Sequence, residues 1–130
     1  MIHALTYVLD ASAVLAVLNR EPGADDIVVH FPGSAISAIN YAEVAQKRLE
    51  RGMDSLSLRT RLLRSQIRIE SFEVEDAELA AELWPETRAF GLSLADRACL
   101  ALAIRLDLPV LTCDRTWDGL KTKANIRVIR

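Results

Sequence analysis

The chain has only two cysteines, Cys99 and Cys113, with neither CxxC spacing nor a nearby histidine pair. That excludes a disulfide framework and a zinc site of the usual spacing, and both read as buried, reduced thiols. Histidine is equally scarce: His3 and His30 stand alone, and neither is expected to ligate a metal. No run of about eighteen apolar residues is available to cross a bilayer. The N-terminus Met1-Ile2-His3-Ala4 lacks a basic region followed by an apolar core, so no export signal is expected and the protein is placed in the cytosol. Charge of one sign is not in excess either. Sixteen Lys and Arg against 18 Asp and Glu leave a net charge of −2, which argues against a broad nucleic-acid-binding face but leaves room for a local basic patch. Repeats, low-complexity tracts and linkers are absent.

What is present is an ordinary globular composition, 51% apolar and 26% charged over 130 residues. A chain of this length buries roughly two-thirds of its unfolded surface, so a single domain over 1–130 is expected. The charges are unevenly placed. Lys47, Arg48, Arg51, Arg59, Arg61, Arg64 and Arg68 dominate one segment, and Glu70, Glu73, Glu75, Asp76, Glu78, Glu82 and Glu86 the next. Two solvated helix faces account for this, as does a basic surface for a polyanion or acidic partner.

Apolar β-rich runs at 5–9, 34–37, 67–71, 109–112 and 126–129 predict strands. Helices are predicted at 11–20, 24–31, 40–51, 54–66, 74–90 (interrupted at Pro85) and 93–107, with a helical turn at 117–121. Gly52 stops the third of these and Gly91 the fifth. Strands alternating with helices indicate an α/β fold with three layers, α/β/α, around a mostly parallel sheet of four to five strands.

On that frame four acids, Asp10, Glu43, Asp96 and Asp114, fall at strand ends or helix starts. In a parallel α/β fold such ends gather on one edge of the sheet, where ligands bind. Each acid also has a local explanation. Asn40-x-x-Glu43 and Ser93-x-x-Asp96 have capping-box spacing, and Asp10 and Asp114 suit N-caps. A first-turn acid also gains roughly 0.3–1 kcal/mol from the helix dipole. Capping leaves their common surroundings unexplained. Asp96 sits among Leu92, Leu94, Ala95, Cys99 and Leu100, and Glu43 among Ile39, Tyr41, Ala42 and Val44. A carboxylate at a core edge needs a paired charge or an ion. Two bare charges about 4 Å apart repel by on the order of 4 kcal/mol at an effective dielectric near 20. Oxygen-only ligands suit Mg²⁺ or Mn²⁺, and the fitting chemistry is metal-activated attack of water on a phosphodiester.

The segments Val8-Leu9-Asp10-Ala11-Ser12-Ala13, Ile36-Ser37-Ala38-Ile39-Asn40-Tyr41-Ala42-Glu43-Val44, Leu92-Ser93-Leu94-Ala95-Asp96-Arg97 and Val110-Leu111-Thr112-Cys113-Asp114-Arg115 together resemble a PIN-domain ribonuclease, and more closely the VapC toxins of type II toxin–antitoxin modules. The resemblance covers essentially the whole chain. It implies Asp10 and Asp96 as direct Mg²⁺ ligands, Glu43 positioning metal or water, and Asp114 completing the pocket. Ser12 and Thr112 match small hydroxyl positions that orient a carboxylate or water, although local backbone bonds explain them as well. Arg97 and Arg115 adjoin the acids, either to grip substrate phosphate or to neutralise the cluster. Asp118 lies a helical turn beyond Asp114 and reads as solvated.

The resemblance further implies an RNA substrate, a homodimer, and a cognate antitoxin whose tail lies in a groove of the early helices. Val14, Leu15, Leu18, Val44, Leu49, Leu56, Leu58, Leu62 and Leu63 supply apolar positions there, most of them expected in the core. Trp84 and Trp117 are expected to pack. A competing class is a non-catalytic interaction module whose acidic pocket binds a partner arginine; failure to bind Mn²⁺ near neutral pH distinguishes it. A phosphoaspartate receiver fits worse. Asp10 is not followed by a second acid as Asp-x-Asp, and Lys47, Lys121 and Lys123 do not sit at a suitable strand end.

Overall fold

Short extended runs set the strands. In a computed structural model that describes residues 6–129, they are β1 (Val8–Leu9), β2 (Ala35–Ser37), β3 (Arg68–Glu70), β4 (Val110–Thr112) and β5 (Ile126–Val128). They form one five-stranded sheet in the order β3-β2-β1-β4-β5. Every pairing is parallel, with Val8 opposite Ala35 and Val110, and Leu9 opposite Leu111. The chain adds strands outward from β1 to β3, then returns to the other side of β1. This places the reversal of strand order between β1 and β4, where the carboxyl ends open a crevice.

The helices are α1 (Ala11–Leu18), α2 (Ala24–Val28), α3 (Ala38–Glu50), α4 (Leu58–Arg64), α5 (Val74–Glu82), α6 (Trp84–Thr87) and α7 (Leu94–Leu106). Alternation along the strands divides the core into two layers. Leu9, Ile36 and Leu111 pack with Val14 of α1, Ile27 of α2, Val44 of α3 and Leu58 and Leu62 of α4. Their neighbours Val8, Ala35 and Val110 face the other way, against Ala80 of α5, Cys99, Leu100 and Leu102 of α7, and Trp117. The result is the expected α/β/α sandwich, with its sheet wholly parallel.

Several boundaries differ from expectation. The helix predicted to open at Asn40 starts at Ala38, because Ser37 is its N-cap and accepts from the Ile39 amide at 3.2 Å. Helix α4 is shorter than 54–66. Asp54 instead turns the chain, its Oδ1 accepting from the Leu56 amide at 2.7 Å. The helical turn lies at Arg115–Trp117, before the predicted 117–121. Pro85 falls in the first turn of a new helix, α6, so the 74–90 segment breaks before it and ends in a 3₁₀ turn at Arg88–Phe90.

The charged segments are only partly solvated. Arg48 is buried with its Nε donating to the Asp54 carbonyl, and buried Asp76 pairs with Arg105 Nε at 2.7 Å. Trp117 packs in the core, but Trp84 is 48% exposed with the Arg88 guanidinium over its ring. Cys99 is buried, whereas Cys113 is half-buried and not fully enclosed as expected. His30 packs edge-on against the Tyr7 ring, while His3 and Leu5 lie outside the described residues. Among the described residues no helix is long and apolar enough to cross a membrane.

Candidate metal centre

Asp10 is the first residue beyond β1, at the reversal point of the sheet, and is 4% exposed. It occupies the N-cap position of α1, yet its side chain makes no capping bond. Instead both nearby hydroxyls converge on Oδ2: Ser12 Oγ donates at 2.7 Å and Thr112 Oγ1 at 2.9 Å. Those hydroxyls are aimed by the backbone that follows β4. The Cys113 amide donates to Ser12 Oγ and the Asp114 amide to Thr112 Oγ1, each at 3.0 Å. A hydroxyl carries one proton. Both protons go to Asp10, so the 3.2 Å contact between the two oxygens has none left to fill it. The local backbone reading thus holds for Thr112 but not for Ser12, whose backbone bond comes from 101 residues away, and both hydroxyls hold the carboxylate.

Asp96 is half-buried in the first turn of α7 and forms the predicted capping box. Its Oδ2 accepts from the Ser93 amide at 2.8 Å, and its own amide donates to Ser93 Oγ at 3.1 Å. Glu43 lies a turn deeper in α3 than expected, and the capping box with Asn40 does not form, because Asn40 is inside the helix. Asn40 is instead fully buried. Its Nδ2 donates to Glu43 Oε1 at 2.9 Å and to the Ala95 carbonyl at 3.0 Å, across to α7. Its Oδ1 is buried without a hydrogen-bond partner, an arrangement costing about 1–3 kcal/mol. Sequence reasoning missed this role; the signal was a polar residue three positions before Glu43, on the same helix face.

Electrostatics ties three of the acids together. Burial pushes the Asp10 carboxyl up from 3.8 to about 6, against the lowering effect of the Ser12 and Thr112 hydrogen bonds. The charges of Asp96 and Glu43 push it further up. The Cys99 thiol, raised by burial, is pressed higher by Asp10, Asp96 and Glu43 as well. Asp114 is absent from both sets of influences. Its carboxylate serves its own loop, with Oδ1 accepting from the Thr116 amide at 2.9 Å and hydroxyl at 2.7 Å. Its backbone reaches the centre through Thr112. Asp118 is exposed. Arg97 turns to α5, where Nη1 donates to the Ala80 carbonyl at 2.8 Å, and Arg115 is exposed beside Asp114.

These residues fit a hydrated divalent cation. The donors are carboxylate oxygens, their mutual repulsion lacks a basic side chain among the causes acting on Asp10, and buried Asn40 Oδ1 is unpaired. Among the described residues no three carboxylate, imidazole or thiol groups form a ready-made cage. Mg²⁺ does not require one, because it keeps several waters and is held through one or two carboxylates together with substrate phosphate. A cleft of about 690 Å³ lies at the turn between α1 and α2, away from the acids.

Comparison with known proteins agrees with the fold. The PIN domain family matches residues 7–123. Similar solved structures include a toxin–antitoxin complex from Klebsiella pneumoniae, 22% identical, with a TM-score of 0.70 over 93% of this chain and 100% of that one. VapBC2 from Rickettsia felis, bound to a promoter DNA fragment, is 18% identical, with a TM-score of 0.69 over 97% and 100%. VapC20 from Mycobacterium tuberculosis, described as a sarcin-ricin loop cleaving toxin, is 16% identical, with a TM-score of 0.69 over 89% and 97%. Curated proteins gave no match.

Proposed function

Because the chain belongs to the PIN-domain family, we propose that it is a cytoplasmic, Mg²⁺-dependent endoribonuclease toxin of the VapC type, one domain over 1–130, neutralised by a cognate antitoxin. PIN domains are generally nucleases that use divalent metal ions. The observation that carries the reading is the convergence of Asp10, Glu43 and Asp96 at the carboxyl edge of β1, where burial raises the Asp10 carboxyl to about 6 and the charges of Asp96 and Glu43 add to the rise.

Asp10 and Asp96 are the residues that hold Mg²⁺ (Mn²⁺ in substitution), with Glu43 positioning ion or water. When bound, the ion supplies charge neutralisation at the scissile phosphate and activation of water. Ser12 and Thr112 fix the Asp10 rotamer, so the carboxylate needs no reorganisation on binding. Asp114 completes the rim and braces Thr112 through its amide. Arg115 is placed to meet substrate phosphate, whereas Arg97 holds α7 to α5. Single-stranded or loop RNA suits the site, since its scissile phosphate and splayed bases reach a compact pocket.

An antitoxin is supported by apolar side chains exposed on and after α3 and on α4: Leu49, Met53, Leu56 and Leu63 stand 41–89% exposed, while Val44, Leu58 and Leu62 fill the core. Flanking Arg51, Arg59, Arg61 and Arg64 are exposed as well, the apolar-with-charge pattern of a helix-binding surface. A homodimer belongs to the same reading, and exposed Trp84, Phe90 and Leu94 offer it an apolar surface.

Sequencing RNA ends after induction of wild type beside Asp96→Asn tests the reading. Wild type should create new ends at defined positions, and the variant none above background. Purified protein should lose cleavage with a chelator and regain it with Mg²⁺. Equal end patterns from both proteins would remove the proposed mechanism.

A further inference from the structure

We propose that Asn40 is a positioning residue of the carboxylate centre, holding Glu43 against the first turn of α7 beside Asp96. The inference rests on the metal-site reading above and assigns a role to a residue outside the acidic set. Asn40 is fully buried, and both of its bonds use Nδ2: one to Glu43 Oε1 at 2.9 Å, the other to the Ala95 carbonyl at 3.0 Å. Both partners are acceptors, so chemistry alone fixes which way the amide faces. Reversed, it would set its oxygen against a carboxylate and a carbonyl. The chosen orientation leaves Oδ1 buried and unpaired. An amide serving only to fasten α3 to α7 would need one N–H on Ala95. The second N–H restrains the carboxylate of Glu43, and the shared amide links it to the turn that carries Asp96. Ala95 precedes Asp96 directly, so the spacing of the two acids is set through one planar group.

The decisive variant is Asn40→Leu, close in volume but without donors or a buried orphan oxygen. Removing the orphan offsets the lost bonds, so the melting temperature should stay near that of wild type. Mn²⁺ affinity, read by calorimetry at pH 7.5 on the full chain, should fall about 10-fold, in the range seen when a partner of a metal ligand is lost. In a Glu43→Gln background the same substitution should have little further effect, since it acts through Glu43. Should Asn40→Leu not melt cooperatively, Asn40→Ser is read in its place. Wild-type affinity in the variant, or full additivity with Glu43→Gln, overturns the role of Asn40 and leaves the metal site standing. Absence of Mn²⁺ binding by wild type itself overturns both.

Discussion

Asp10 and Asp96 both sit at the start of a helix, but they are held in opposite ways. Asp96 is fixed by its own helix, through a reciprocal capping box with Ser93 three residues away. Asp10 makes no capping bond to its helix, and one of its two hydrogen-bond donors, Thr112, lies 102 residues along the chain. Burial separates them too: Asp10 is 4% exposed and its carboxyl is raised to about 6, whereas Asp96 is half-buried. Local chemistry can aim a carboxylate at the surface of a protein. At the bottom of a crevice, where solvent no longer stabilises the charge, one aiming hydroxyl comes from another element, and the other, Ser12, is itself held by a backbone amide from that distant segment.

The largest test of this contrast is the stability of the metal-free protein as a function of pH. A carboxyl raised from 3.8 to about 6 binds its proton more tightly in the folded state. The stability this gives is fully present below pH 4 and lost as pH rises through 6, by about 3 kcal/mol. Asp10→Asn should therefore melt higher than wild type at pH 8 in chelator, and the gain should vanish by pH 4. An equivalent gain from Asp96→Asn would erase the distinction between the two acids.

Next in size is the pair Ser12→Ala with Thr112→Val, which removes both donors to Asp10. Cleavage rate or Mn²⁺ affinity should drop by about 10- to 100-fold, as when the partners of a metal ligand are lost. NMR titration of the Asp10 carboxyl should show its pKa above that of wild type, because the hydrogen bonds that lower it are gone. An unchanged titration would mean that the hydroxyls do not hold the carboxylate in solution.

Smallest is Ser93→Ala, which costs one N-cap. A loss of about 1 kcal/mol by urea denaturation is expected. The Asp10 titration should be unmoved, since Asp96 keeps its bond to the Ser93 backbone amide. A large shift there would couple the two acids more tightly than their separate supports suggest.

Much of this was legible in the residues. The capping box of Ser93 and Asp96, the strand ends at Asp10 and Asp114, and the stop at Gly52 follow from local propensity and turn chemistry. Glu43 was harder. Asn40-x-x-Glu43 carries a capping-box pattern, but Ser37 takes the cap because β2 runs straight into α3, a choice made by where the strand ends. The role of Asn40 could not be read locally, since its second acceptor, Ala95, is 55 residues away.

The sequence by itself determined the element types, the alternation that makes a parallel α/β sandwich, and the local supports of Asp96 and Asp114. Each depends on residues within a turn or two of one another. Only the tertiary structure decided which acids share a centre. Asp10 feels Glu43 and Asp96 because the reversal of strand order and the packing of α3 on α7 bring them together, and Coulomb repulsion depends on distance through space, not along the chain.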